Sequence, residues 1–538
     1  MEDPHLEPTQ KCFCIPELVN LICNNVDADL DKPRRNATLS KLARTSRVFN
    51  EFALDYLWSS VRGIDRLIKC MPADLWEEGL TGDMRMTRPT LVFTRPIVQS
   101  DLTRLHHYAR RVKTFHSMST KEYADSSMAG MYQVLLLTEI NTLLPNLHTL
   151  SWEHPDVNIF SYIRLFLAPN LAELSVMFSS YSAVQLSLLD ALRQRYPSIQ
   201  RLHIYHYQHL TEALRKAVET TICGLNGLHT LTVPNLTQTA LEHLANLPDL
   251  KILEIRAVSP HVSYPVASSS LGFPSLRKFT ITVCDDLQLA TTAVEMMSSS
   301  HLRSLVLNFV LSSTPYAWGR ILAAAQKNCD HTSLRRLTIS GHSHPGGPPE
   351  GDPVRMDAIK PLMSFSSLSD LRLHPACGID LDDADIRELA RSWPRLKRLQ
   401  LGLNFSGHPR PRVTLSSLVS LAEYCPSLHT LYMLVDACDV PPITSSRPGG
   451  VRHTNLLTLG IGGSPIDSEA GVAVFLADLF PCVDSIDRMI ASVVDLDETI
   501  ERWNKVWSQV DNLLPMLAAG GGQESPDSES DFSGYEEP

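Results

Sequence analysis

The sequence lacks most of the features that assign a chemistry. Its start, MEDPHLEPTQKC, has no basic stretch leading into an apolar core, and none of its 538 residues lie in an apolar run of about eighteen. The expectation is a soluble chain of the cytoplasm or nucleus, without a membrane segment. Strong basic charge is missing too. The net charge is -11, and residues 519–538 hold six acids and no base, which leaves -5 for the rest and nothing that favours nucleic acid. The 11 cysteines are scattered, and the closest pair, Cys12 and Cys14, has one residue between them where zinc sites use two to four. Free thiols in a reducing compartment are expected, with no metal and no cofactor. Asn36, Asn235 and Asn404 match the glycosylation pattern but carry no weight without an export signal. Catalytic signatures are absent as well: there is no G-x-S-x-G, H-E-x-x-H or C-x-x-C. GLNFSGHP (402–409) has His-Pro where a phosphate loop needs Lys-Ser/Thr, and GIGGSP (460–465) lacks the third glycine of a dinucleotide fingerprint. The chain is not expected to be an enzyme.

What the sequence does have is a repeat. WPRLKRLQL (393–401) shares its frame with LPNLHTLSW (144–152), APNLAELSV (168–176), CPSLHTLYM (425–433) and eight further segments. The twelve copies follow (Pro)-x-Leu-x-x-Leu-x-Leu/Ile/Val, with starts 22 to 34 residues apart. Two periods coexist in each: a spacing of three leads into the strand, and alternation runs along it. Such a unit supplies one strand to a parallel sheet and one returning helix, as in leucine-rich repeats of the longer, irregular kind. DADIRELARSW (383–393) and SSLVSLAEYC (416–425) read as returning helices, each ended by a proline. VKTF (112–115) and PCVDSI (481–486) read as degenerate outer strands. IERWNKVWSQVDNLLPML (500–517) then aligns Ile500, Trp503, Trp507, Val510, Leu514 and Leu517 as a C-terminal capping helix.

Alternate strand residues face away from the core, so the inner surface is legible. One column passes through Arg336, Asp370 and Arg398; the next passes through Arg372, Gln400 and Tyr432, with His374 beside it. Guanidinium groups on successive strands suit a carboxylate or phosphate. Arg336, Arg372, His374, Arg398 and Tyr432 are therefore candidates for capturing an acidic or phosphorylated segment of a target protein. The alternative is a solvated face partly neutralised by Asp370. Pro/Gly-rich loops at 340–353, 402–412 and 439–450 should crowd the same end of these strands. In the acidic, disorder-prone tail, Ser525 and Ser528 resemble kinase acceptors.

Ahead of the repeats, IPELVNLICNNV (15–26), a polar insert (27–37) and TLSKLARTSRVFNEFALDYLWSSV (38–61) form a different module. Its Pro-Glu-Leu opening, the Ile four residues on, the central Leu-x-x-Leu-Ala-x-x-Ser-x-x-Phe and the closing Leu-Asp-x-Leu-Trp resemble an F-box. An F-box followed by leucine-rich repeats resembles the F-box/leucine-rich-repeat proteins, notably the fungal set. The fold this implies is α/β: a small helical F-box, then a leucine-rich-repeat solenoid with its parallel sheet inside and helices outside, then a capping helix. The expected order is an N-terminal segment (1–14), F-box (15–61), linker and N-terminal cap (62–111), solenoid (112–490), capping helix (491–518) and acidic tail (519–538). The resemblance further implies a substrate receptor that binds a Skp-type adaptor, and through it a cullin, while the repeats take the target. Carried over residue by residue, Pro16, Leu18 and Ile22 with Leu39, Leu42, Ala43 and Val48 would form the adaptor face; some of them must serve the module's own small core instead, and Pro16, Leu18 and Ile22 are placed at the interface first. The competing expectation is a repeat scaffold or inhibitor that acts without a ligase.

Overall fold

A computed structural model describes residues 15–29, 32–81, 87–118, 125–138, 142–154, 156–178, 183–206, 211–257, 272–283, 287–297, 301–309, 315–341, 352–402, 410–441, 450–461, 463–487 and 498–520. The chain divides into two compact units, Met1–Val258 and Ser259–Pro538.

The first unit opens with three helices, α1 (Pro16–Asp29), α2 (Lys32–Leu42) and α3 (Arg47–Trp58). Ser46 separates α2 from α3, because its hydroxyl caps α3 by accepting from Phe49 N. Val19, Cys23, Leu39, Ala43, Phe49 and Ala53 close a small core between the helices. Most of the supposed polar insert is helical as well. Arg35 pairs with Asp27 and donates to Tyr56 O at 3.0 Å, so a charged segment becomes a brace across α1 and α3.

Seven parallel strands follow in chain order: β1 (Ser60–Arg62), β2 (Thr114–His116), β3 (Thr149–Trp152), β4 (Glu173–Phe178), β5 (Arg201–His206), β6 (Thr230–Val233) and β7 (Ile252–Ala257). The sheet starts earlier than the repeat frame indicates. β1 leaves α3 almost directly and pairs with β2 at Ser60↔Thr114, so the span read as F-box already contributes a strand. An antiparallel hairpin, Trp76–Thr81 with Arg88–Phe93, lies within the segment read as linker.

The second unit also holds seven parallel strands: β8 (Lys278–Val283), β9 (Ser304–Phe309), β10 (Arg336–Gly341), β11 (Asp370–His374), β12 (Arg398–Leu401), β13 (Thr430–Met433) and β14 (Thr458–Gly460). All twelve repeat copies supply strands, and within each unit pairing aligns them at the same frame position. Arg336↔Asp370, Asp370↔Arg398 and Arg398↔Thr430 are in register, as are Thr338↔Arg372, Arg372↔Gln400 and Gln400↔Tyr432. The leucines of each frame are the core: Leu396, Leu399 and Leu401 are all buried. Helices α4 (Asp383–Ser392) and α5 (Leu415–Tyr424) return behind the strands. Asp382 caps α4 reciprocally with Asp385. Thr414 caps α5 and also donates to Asp383 Oδ2 at 2.6 Å, which ties one repeat to the next through their helix starts.

Beyond β14, Ile486 makes a last parallel bridge to Leu459, and α6 (Glu498–Gly520) covers this end. Trp507, Val510 and Leu514 of the expected stripe are buried, whereas Leu517 emerges from it. The helix continues two residues past the expected boundary at 518, and residues 491–497 lie outside the described residues. Among the described residues no helix is long and apolar enough to cross a membrane, and eight cysteines are free.

Candidate protein-binding surfaces

The residues the resemblance assigned to the adaptor fall into two groups. Pro16 and Leu18 are exposed on α1, while Leu39 and Ala43 are buried in the three-helix core. Ile22, Leu42 and Val48 are half-buried against that core. Leu39 and Ala43 belong to the three-helix core, at 0 and 9% exposure, so they hold the helices together and offer little surface. The residue that sequence reading missed is Leu21. It lies one turn from Leu18 and is 54% exposed, more than Leu18 at 39%, so Ile15, Leu18 and Leu21 form the apolar face.

The module is joined firmly to the first strands. Arg111, buried just before β2, pairs with Glu51 Oε2 at 2.5 Å and with Asp55, both on α3, and donates to Glu51 O at 3.1 Å. Its hydrogen bond holds the Glu51 carboxyl below the usual carboxylate range. Trp58 stacks on Tyr108 with ring centroids 4.6 Å apart.

In the second unit the arginines gather on one acid. Asp370 is nearly buried. It accepts from Arg336 Nε at 3.2 Å, from Arg372 Nε and Nη2 at 2.9 and 3.1 Å, and from Arg398 Nη1 at 3.3 Å. Three guanidinium groups with one carboxylate leave two positive charges on a cluster whose arginine side chains are 31 to 53% exposed. Such a group can accept a further carboxylate or phosphate without first assembling itself. The other two candidates are held elsewhere. His374 Nε2 lies 3.3 Å from Gln400 Oε1, and the Tyr432 hydroxyl donates to Asp487 Oδ2 at 2.8 Å. Burial, reinforced by that acceptor, pushes the Tyr432 hydroxyl up to about 12.

The inner face of the first unit is neutralised by its own pairs. Arg201 meets Glu173 at 2.8 Å, and Arg256 meets Glu254 at 2.7 Å while lying over the Tyr205 ring. His203 sits between these pairs, with Nδ1 2.9 Å from Thr232 Oγ1. No cluster of three potential metal ligands occurs among the described residues. Residues 342–351, 403–409 and 442–449, which make up most of the expected loops, and both Ser525 and Ser528 lie outside the described residues.

No family model and no curated protein matches this chain. Among solved structures, the chain is similar to a chain in the crystal structure of the Rad7 and Elc1 complex in yeast. The identity is 13% over 90% of this chain and 91% of that one, with a TM-score of 0.34. At that similarity neither the partner nor the activity of that protein transfers.

Proposed function

We propose that the chain is the substrate receptor of a Skp-cullin-F-box ubiquitin ligase, working in the cytoplasm or nucleus. The observation that carries this reading is the N-terminal module: three helices with their own small core present Leu18 and Leu21 outward, directly ahead of a series of parallel repeats. A module of this size buries little, and a partner covering its apolar face would stabilise it. Ubiquitin transfer then belongs to the partners, and this chain contributes proximity. The target's acidic or phosphorylated segment would be taken by Arg336, Arg372 and Arg398. Co-purification with a Skp-type adaptor and a cullin tests the reading. Leu18→Glu/Leu21→Glu should abolish capture while the chain stays folded, and capture unchanged in that variant would sink the assignment.

One observation favours a second reading, that of a repeat scaffold without a ligase. Arg111 with Glu51 and Asp55, and Trp58 on Tyr108, fasten α3 to the first repeats as an N-terminal cap would be fastened. Under that reading the intact chain captures neither adaptor nor cullin.

A further inference from the structure

The rim at which the strands of the second unit begin is strongly basic. Immediately before β8, β9, β10 and β12 stand Arg277, Arg303, Arg335 and Lys397, all exposed. Backbone hydrogen bonds fix them in a row. Arg303 N donates to Arg277 O at 2.8 Å, Arg335 N to Arg303 O at 3.0 Å, Ser369 N to Arg335 O at 2.8 Å and Lys397 N to Ser369 O at 2.8 Å. With adjacent strands about 4.8 Å apart, the row extends over roughly 19 Å. None of the four side chains has an ion-pair partner among the described residues. The next row adds Lys278, Arg336 and Arg398, and Asp370 is its sole acid. Like charges on neighbouring strands oppose sheet formation, so this surface is best satisfied by an anion laid along it.

The capping helix points a candidate toward the same rim. Trp507 Nε1 donates to Ser464 O at 2.9 Å, beyond the C-terminal end of β14. Four residues later Asp511 accepts from Ile486 N at 2.7 Å, level with the strand itself. From Trp507 to Asp511 the helix therefore runs against the strand direction, toward the level of the strand starts, and it ends at Gly520, five residues after Pro515. The eighteen residues that follow, 521–538, hold Glu524, Asp527, Glu529, Asp531, Glu536 and Glu537 and no base.

We propose that this basic rim is the docking surface for the chain's own acidic C-terminus. Eighteen residues reach up to about 60 Å when extended, whereas β12 lies two strands from β14 and β8 lies six, roughly 10 and 29 Å away. The tether holds the tail near the rim at an effective concentration on the order of mM, so weak individual contacts suffice.

The test compares the full chain with a chain ending at Gly520. Each is titrated against a fluorescent peptide of residues 521–538 and against poly-glutamate, read by anisotropy at about 50 and 300 mM salt. The shortened chain is expected to bind the peptide at least tenfold more tightly than the full chain. That binding should weaken with salt and disappear in Arg277→Glu/Arg303→Glu/Arg335→Glu, whose exposed side chains leave the urea midpoint unchanged. Equal binding by the full and shortened chains would overturn the proposal. So would a shortened chain that binds poly-glutamate but not the peptide, or a rim variant that binds as its parent does. Loss confined to Arg336→Glu/Arg398→Glu would move the site off the rim and refute the docking while supporting the inner arginines. Capture of a Skp-type adaptor is independent of every arm, so failure of the ligase reading is recognised separately.

Discussion

Asp370 and Arg398 face each other in register on adjacent strands, with Nη1 3.3 Å from Oδ2, and Arg336 approaches the same oxygen at 3.2 Å from the strand on the other side. Asp370 is thus the keystone of the cluster. Its carboxylate is 8% exposed, and it gives three otherwise repelling guanidinium groups a common partner.

Replacing that carboxylate tests the arrangement. Asp370→Asn leaves three cations without their counter-charge. Breaking a buried pair costs several kcal/mol, but the arginines are partly solvated, so a loss of about 1–3 kcal/mol is expected. Urea unfolding measures it. Arg336→Gln, which removes one half-exposed donor, should cost less than about 1 kcal/mol.

The N-terminal module separates a folding role from a binding role. Leu39→Ala opens a cavity in the three-helix core and should cost about 2–5 kcal/mol. Leu18→Ala and Leu21→Ala remove exposed side chains and should change stability by less than about 0.5 kcal/mol while weakening adaptor capture. Thermal melts beside pull-downs distinguish the two. A Leu21 variant with full capture would remove that residue from the contact face.

These two surfaces mark what the sequence could and could not disclose. The repeat frame determines inward and outward positions because strand alternation has period two, so the column holding Arg336, Asp370 and Arg398 was readable and the pairing register reproduces it. β1 was hidden because Ser60–Arg62 lacks the Leu-x-x-Leu lead-in. Helical periodicity could not sort Leu39 and Ala43 from Leu18 and Leu21: it identifies an apolar face but not which helix covers it. The basic row from Arg277 to Lys397 was overlooked because it stands one residue ahead of the strands, where backbone bonds rather than pattern hold it in line.

Gly460 is required by Tyr432. A Cβ built at Gly460 would come within 2.1 Å of the Tyr432 ring, which crosses the glycine backbone to reach Asp487. Gly460→Ala should therefore displace the ring and cost about 1–3 kcal/mol. Tyr432→Phe loses only a hydrogen bond, about 0.5–1.5 kcal/mol. In a Tyr432→Ala background the Gly460→Ala penalty should largely vanish, and a double-mutant cycle from urea unfolding reads that coupling.

His203 gives the first unit a pH dependence. Burial lowers its pKa and outweighs the opposing pull of Glu173 and Glu254, with Arg201 and Arg256 adding to the depression. The unfolded chain, with an ordinary histidine near 6.5, then binds the proton more readily than the folded one. This contribution to stability is complete above about pH 6.5 and declines as pH falls through the unfolded value toward the lower folded one. His203→Gln, which keeps a polar group beside Thr232, should lessen the drop in urea midpoint between pH 7.5 and pH 5.5. Equal drops in the two proteins would assign the effect to other groups.

Asp511 protects the far edge of the sheet. The Ile486 N–H belongs to the last bridged residue, is covered by α6, and donates to Asp511 Oδ1 at 2.7 Å. Asp511→Ala leaves this donor without a partner in a place that water does not easily reach, at a cost of about 1–3 kcal/mol. It also loosens the helix that hides an open strand edge, and an uncovered edge is a template for pairing with another chain. Two readouts should therefore move together: a lower melting temperature, and light scattering on heating that grows with protein concentration. Asp511→Asn keeps an acceptor at the same position and should recover most of both. If the alanine variant melts earlier without added scattering, Asp511 anchors the helix only, and edge protection rests on the packing of Trp507, Val510 and Leu514.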